Sequence, residues 1–280
     1  MSNPKIGFIG AGKLGCALGR FFLESGLTVY GYYSRSAASS EQAAAFTRSK
    51  SCSLTEVVRF SDLLFLTVPD GQLADAWGCL SCLPIGGKEL CHCSGLYTSE
   101  VFERVECTGA KAYSLHPLCA IHDICDYEKL HSAFFTLEGP EPGGYLTEIL
   151  DRAGIRWARI EPEKKALYHT AAVFLSNLAN GLVSMGEGML LSSGLPESFA
   201  RGAWRELFLG NASNIARAGP VNALTGPIER CDAASVACHI AALDDPARKV
   251  YLLLSRELLK LARLKHPERD FKKVEEVLDA

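Results

Sequence analysis

Through residues 1–161, short apolar runs alternate with stretches whose apolar positions recur every three or four residues. The first predicts a strand over Ile6–Ile9, and Leu14, Leu18, Phe21 and Phe22 then predict a helix ending near Gly26. A second strand follows at Thr28–Tyr33, a helix over the Ala-rich residues 39–46, a short strand around Cys52 and a helical turn over Leu54–Arg59. Leu63–Val68 is apolar throughout, the mark of a parallel strand covered on both faces. Residues 70–82 read as its crossover helix and Glu89–Cys93 as the next strand. The pattern continues with a helix over 98–105, strands at Lys111–Leu115 and 133–138, a helix at Tyr145–Ala153 and a strand at Arg156–Ile160.

The alternation stops near Glu161-Pro162. Beyond it the chain reads as one long helix from Glu163 to about Leu191, stopped by Ser192-Ser193-Gly194. Pro196 opens another, to about Ala218, where Gly219-Pro220 breaks it. Residues 221–231 read as a loop, and helical periodicity returns at Ala233–Leu243 and Pro246–Lys265. The expected architecture is α/β: a doubly wound Rossmann sheet over 1–161, then an all-helical domain over 162–280.

The first strand and helix meet at Gly10-Ala11-Gly12-Lys13-Leu14-Gly15, a GxGxxG in the strand–turn–helix context that a dinucleotide site requires. Gly10 lets the chain turn tightly, Gly12 lets backbone approach a pyrophosphate, and Gly15 lets helix pack close on sheet. Ala11, Lys13 and Leu14 complete the turn, and the helix N-terminus offers free N–H groups to phosphate. An NAD site usually has an acid about 20 residues further on. Here the second strand ends Tyr33-Ser34-Arg35-Ser36. Arg35 suits a 2′-phosphate, with Ser34 and Ser36 as hydrogen-bonding neighbours, so the expected cofactor is NADP(H).

Three later strand ends carry small, polar or proline residues: Val68-Pro69-Asp70, His92-Cys93-Ser94-Gly95 and His116-Pro117. In an open α/β sheet such loops line the ligand crevice. Val68, Pro69 and His116 are therefore expected beside the cofactor, with Ser94 and Gly95 near its nicotinamide. In the long helix, Lys165, His169 and Asn177 would lie at about 0°, 40° and 120° around the axis, in one sector. A Lys or His there could protonate a substrate oxygen as hydride arrives, and Asn could orient the substrate. The Leu224–Asp232 stretch reads either as a loop over the site or subunit contact, or as a helix connection.

Composition narrows the picture. The 280 residues carry a net charge of −3, which gives no electrostatic case for nucleic acid or an anionic membrane. The longest apolar runs fall short of a membrane span, and the first strand begins too early for a signal peptide, so a cytoplasmic protein is expected. The eleven cysteines are odd in number and irregularly spaced, unlike a disulfide framework. Cys79-x-x-Cys82 followed by Cys91-His92-Cys93 is too tightly spaced for a zinc site, and no metal is expected.

These motifs, with Tyr168-His169-x-Ala171-Ala172-Val173-x-x-Ser176-Asn177 and Leu224-Thr225-Gly226-Pro227, resemble a family of Rossmann-like oxidoreductases with a helical C-terminal domain of unassigned function. Its distant relatives include pyrroline-5-carboxylate reductase, ketopantoate reductase and the 6-phosphogluconate dehydrogenase group. The resemblance implies NADP(H) and a small-molecule substrate bound between the two domains, and a homodimer built through the helical one. It also implies that His169 and Asn177 line the cleft. Hydride transfer to or from a small polar carbonyl, imine or hydroxy acid is the expected reaction. A non-catalytic NADP(H) sensor is the alternative, and a deazaflavin-dependent reductase a third. The family tends to show Arg-Gly-Asp where this chain has Arg230-Cys231-Asp232. If that glycine has positive φ, Cys231 carries strain.

Overall fold

The computed structural model describes residues 3–141 and 143–280. Eight strands form one sheet: β1 (Lys5–Ile9), β2 (Thr28–Tyr33), β3 (Lys50–Ser51), β4 (Leu63–Leu66), β5 (Glu89–His92), β6 (Lys111–Pro117), β7 (Phe134–Glu138) and β8 (Arg156–Arg159). Their order is β3-β2-β1-β4-β5-β6-β7-β8, parallel throughout except for β6 against β7. The chain leaves β1 for β2 on one side and later adds β4 on the other. The loop after β1 therefore stands at the switch point, where such sheets bind ligands.

Helices α1 (Lys13–Glu24), α2 (Ala37–Phe46), α3 (Leu54–Phe60), α4 (Leu73–Leu80), α5 (Tyr127–Leu130) and α6 (Tyr145–Arg152) cover the two faces. One core joins Phe8, Phe21, Phe22, Tyr32 and Phe65, the other Val57, Leu64, Trp77, Leu90 and Phe102. β1, β4 and β5 are buried nearly end to end; Ile6–Ile9 and Leu63–Leu66 read as apolar runs for that reason, whereas β5 carries two buried polar residues, Glu89 and His92. The helix expected over 98–105 is instead two 3₁₀ turns, Ser99–Val101 and Val105–Thr108. They are separated by Arg104 in a left-handed conformation, which a continuing α-helix does not allow.

The helical stretch also differs from expectation. α7 (Lys165–Leu175) and α8 (Asn177–Ser192) are two helices, not one. The break is Ser176 (φ −129°, ψ −75°), whose hydroxyl donates back to the Ala172 carbonyl at 2.6 Å and competes with the helix backbone. α9 (Glu197–Ala223) runs past Gly219, where a φ of 76° and the following Pro220 put a kink. α10 (Ala233–Ala242) and α11 (Asp245–Lys265) match the pattern, and α12 (Lys272–Asp279) adds a last helix that the periodicity missed.

The chain divides into two compact units, Met1–Asn177 and Leu178–Ala280. The sheet ends at Arg159, close to the expected change at 161/162, but α7 belongs to the first unit. In the second, Leu224, Ile228, Val236, Leu259, Phe271 and Val274 make a small core. The Leu224–Asp232 stretch is clasped to the end of α11: Lys265 Nζ donates to the Leu224 carbonyl at 2.7 Å, and His266 pairs with Glu229 at 2.5 Å. Cys231 sits at φ 60°, the strained conformation anticipated for it.

Candidate active site

The three glycines of the motif stand in different surroundings. Gly10 has φ 106°, and a Cβ there would lie 2.7 Å from the Thr67 backbone. At Gly15 a Cβ would come within 2.4 Å of Thr67 Oγ1 and 2.9 Å of the Gly10 carbonyl. Thr67 fastens the turn by donating to the Gly10 carbonyl at 2.9 Å. Gly12 faces open space, with nothing within 4 Å of its would-be Cβ. It is the N-cap of α1 and makes no side-chain cap, so the first N–H groups of that helix remain available to an anion.

A cavity of about 340 Å³ opens beside this turn. Gly10, Ala11 and Gly12 line it, as do Ser34 and Arg35 from the end of β2, and Val68 and Pro69 from the end of β4. Ser39 joins them; its backbone N–H and hydroxyl lie 3.3 and 3.1 Å from Oγ of Ser36, the N-cap of α2. Arg35 is exposed and donates to Gln72 Oε1 at 2.7 Å. One acid, Asp75, lines the cavity, from α4 rather than from the end of β2 where an NAD-type acid sits. Lys13 is exposed on the first turn of α1 and does not line the cavity, while Leu14 packs its side chain on the core. The three glycines, the empty space at Gly12 and the Ser–Arg–Ser rim fit a phosphorylated dinucleotide.

A second cluster adjoins the cavity through Asp70, the residue after Pro69. Asp70 Oδ2 accepts the Ser94 hydroxyl at 2.8 Å. That hydroxyl also accepts the N–H groups of Leu96 and Tyr97 at 3.1 and 3.0 Å, so the loop after β5 is tightly held. His92 Nδ1 accepts the Ser94 N–H at 3.1 Å, which leaves Nε2–H to donate to the Thr98 carbonyl at 3.0 Å. Burial, with the Lys165 charge nearby, holds the His92 pKa down at about 4, so it is neutral and structural.

α7 lays one face on this loop, because Lys165, Tyr168 and His169 are spaced i, i+3, i+4. Lys165 is 1% exposed. Its Nζ donates to the Ser94 carbonyl at 3.0 Å and to Ser114 Oγ at 2.6 Å. Burial lowers its pKa. Tyr168 Oη lies 2.8 Å from His116 Nδ1. His169 Nδ1 is buried without a partner among the described residues. A Cβ on Gly95 would meet that nitrogen at 2.7 Å and His116 Nε2 at 3.0 Å. Two imidazole nitrogens thus converge on a position only glycine can occupy. Burial first, then the charge of Lys165, brings His116 to a pKa of about 4.

The structure therefore brings together Lys165, His169, His116, Ser94 and Gly95. Asn177 is not among them: past the break at Ser176 it is exposed, its Oδ1 3.0 Å from Ser176 Oγ. The single sector expected for Lys165, His169 and Asn177 required an unbroken helix. Tyr168 and Ser114 were not picked out as site residues, although the i+3 spacing of Tyr168 from Lys165 was a signal in the sequence. The cysteines are free among the described residues, and no group of three or more His, Cys, Asp or Glu there is placed to hold a metal. Burial pushes the Cys93 thiol up to about 12, so it is a core residue.

Two family descriptions match, a Rossmann-like domain over residues 2–117 and a domain of unknown function, DUF2520, over residues 133–258. The chain is a Rossmann-like domain joined to a DUF2520 domain. The DUF2520 match takes in β7, β8 and α7, so the helix that faces Gly95 belongs to it although it packs in the first unit. Protein TM1727 from Thermotoga maritima is 27% identical, with a TM-score of 0.74 over 93% of this chain and 99% of that one. BF3122 from Bacteroides fragilis, named as a proposed NADP oxidoreductase, is 23% identical, with a TM-score of 0.69 over 92% and 98%. A reductive aminase from Aspergillus terreus, in complex with NADPH and ethyl-5-oxohexanoate, is 15% identical, with a TM-score of 0.60 over 99% of both chains. The last two likenesses speak for the fold. No curated protein matches the chain in sequence.

Proposed function

We propose that this protein is an NADP(H)-dependent oxidoreductase that transfers a hydride to or from a small polar carbonyl, imine or hydroxy acid. The observation that carries this is the cavity joining the glycine turn to Ser34, Arg35 and Ser39, with the Lys165–His116–His169 cluster adjoining it. The NADP(H) in the names of structural neighbours supports the cofactor assignment. Gly10–Gly15 would hold the pyrophosphate, and Arg35, Ser34, Ser36 and Ser39 the 2′-phosphate. When bound, the nicotinamide supplies or accepts the hydride.

The chain's own residues do the rest. Ser94 and Gly95 form a rigid floor, with the Ser94 hydroxyl held by Asp70 and its carbonyl by Lys165. Lys165 places a buried positive charge beside it, which favours negative charge developing on a substrate oxygen or nitrogen. His169 presents an unsatisfied nitrogen at the Gly95 gap, and that gap excludes any larger side chain. The orienting role considered for Asn177 passes in this reading to His169.

Exposed apolar side chains on α8 and α9, among them Leu182, Phe199, Leu207 and Leu209, support a homodimer built through the second unit. No helix among the described residues is long and apolar enough to cross a membrane, which accords with the proposed cytoplasmic location.

Thermal unfolding with NADPH, NADP, NADH and NAD tests the proposal. A ligand that binds only the folded state stabilises by about 2.7 kcal/mol at 100 times its Kd. Upward shifts confined to the phosphorylated pair are expected, and no shift with any of the four overturns the reading. A shift with no turnover of carbonyl or imine compounds would leave an NADP(H) sensor instead.

A further inference from the structure

We propose that Tyr168 is the proton donor of this site, and that His116 is its relay, with Nδ1–H donating to the phenolic oxygen. The proposal rests on the hydride-transfer reading above and assigns the acid that such a reaction needs.

The argument is geometric. Tyr168 Oη and His116 Nδ1 are 2.8 Å apart, with the rings nearly perpendicular at 86°. One hydrogen lies between them, and either group can supply it. If the tyrosine donates, its proton is engaged. If His116 donates, the phenolic proton is free for a substrate. The far nitrogen of the same ring, Nε2, points at the Gly95 gap and makes no hydrogen bond among the described residues. A neutral imidazole with Nδ1–H and a bare Nε2 can take a proton from water at one end and hand one to the tyrosine at the other.

The other candidates suit the task less well. Lys165 commits two of its three N–H groups to Ser94 and Ser114 and is 1% exposed. His169 directs a buried nitrogen at the loop. Tyr168 is half-buried, stands one helical turn from Lys165 and next to His169, and meets β6 through His116. Its phenol keeps its proton at neutral pH because burial raises the pKa. Burial and Lys165 keep His116 uncharged there.

The step balances. The substrate carbon gains the hydride and its two electrons from the reduced nicotinamide, which is oxidised. The C=O or C=N π pair moves onto the heteroatom, which takes the phenolic proton. The Tyr168 phenolate then accepts the Nδ1 proton while His116 Nε2 takes one from solvent, the single net proton that the reduction consumes, and exchange of the ring protons with solvent (gain at Nδ1, loss at Nε2) restores the starting tautomer.

The test reads the tautomer first, without any substrate. Long-range ¹H–¹⁵N NMR of the full-length protein, assigned with a His116→Gln variant, distinguishes Nδ1–H from Nε2–H. Nδ1–H at His116 is expected, and Nε2–H overturns the proposal. The second reading is Tyr168→Phe, assayed with NADPH and two probes, 2-methyl-1-pyrroline and glyoxylate. With the probe that the wild type turns over, kcat should fall about 10²- to 10⁴-fold. NADPH affinity and the melting temperature should stay near the wild-type values. A kcat within threefold of wild type overturns the proposal. Failure of the underlying reading is distinguishable, because the wild type would then show no NADPH-dependent thermal shift whichever tautomer His116 adopts, and the proposal would fall with it.

Discussion

Replacing Arg35 by alanine should turn an NADP(H)-selective protein into one that barely distinguishes the two dinucleotides. Arg35 stands at the mouth of the cavity with Ser34 beside it and Ser39 on the first turn of α2. Its guanidinium is exposed and already donates to Gln72 Oε1 at 2.7 Å, so the side chain is held near the place a 2′-phosphate must occupy. A hydrogen bond to a charged group contributes about 1.5–3 kcal/mol net, and exposure favours the lower part of that range. Losing about 1.5–2.5 kcal/mol weakens NADPH by about 10- to 60-fold. NADH has no phosphate there and should change less than about threefold. Arg35→Lys should fall between, because it keeps the charge but loses the planar fork. The assay is titration of reduced-nicotinamide fluorescence with each cofactor at two salt concentrations. Higher salt should weaken NADPH binding to the wild type and leave the alanine variant nearly unaffected. An equal loss for NADPH and NADH would refute the assignment, since it would show Arg35 acting on the common part of the molecule or on the fold.

Three further outcomes follow from packing and protonation. Gly19→Ala would put a Cβ 1.7 Å from Tyr32 Oη, and Tyr32 is fully buried and stacked on Phe8 at 4.8 Å. α1 must then lift from the sheet, and urea denaturation should show a loss of about 1–3 kcal/mol; a change below 0.5 kcal/mol contradicts the packing argument. Cys231→Gly should stabilise the protein by about 0.5–1 kcal/mol, because Cys231 holds φ 60° where glycine is unstrained; a destabilised variant would show that the thiol packing outweighs the strain. His92 has a folded pKa of about 4 against an ordinary value of 6.5, so between those values the unfolded chain binds more protons and stability falls as the pH is lowered. The unfolding free energy from urea denaturation should drop from pH 7 to pH 4.5 by up to about 2.4 kcal/mol from this residue, and His92→Asn, which keeps an acceptor for the Ser94 N–H, should flatten the curve. An unchanged slope in that variant would move the effect to His116, which shares the depressed value.

What the sequence could and could not disclose follows from where each signal resides. The sheet was legible because β1 and β4 are buried on both faces over Ile6–Ile9 and Leu63–Leu66, which favours apolar runs, while β5 keeps Leu90-Cys91 between two buried polar residues, Glu89 and His92. The glycine turn was legible for a stricter reason: at Gly10 and Gly15 no other residue fits, so the spacing is a direct record of contacts with Thr67. The helix over 163–191 was misread because its break depends on one serine hydroxyl choosing a carbonyl four residues back, and apolar periodicity carries no trace of that choice. Asn177 was lost from the site with it. Tyr168 was overlooked for the opposite reason. A tyrosine in an apolar helix is ordinary core material, and only the distance to His116, a residue 52 positions earlier, gives it a chemical partner. Lys165 shows both sides of the matter. A lysine in an apolar stretch was conspicuous as a residue that needs partners, and the structure supplies them as the Ser94 carbonyl and the Ser114 hydroxyl. Those partners are neutral, and the opposing charges, Glu138 and Asp70, act on the ammonium through space without a hydrogen bond to it. A lysine held only to anchor a loop could be an apolar residue at no loss of stability. A positive charge kept beside Gly95, His116 and His169 is better explained by negative charge that must appear there during a reaction than by the needs of the fold.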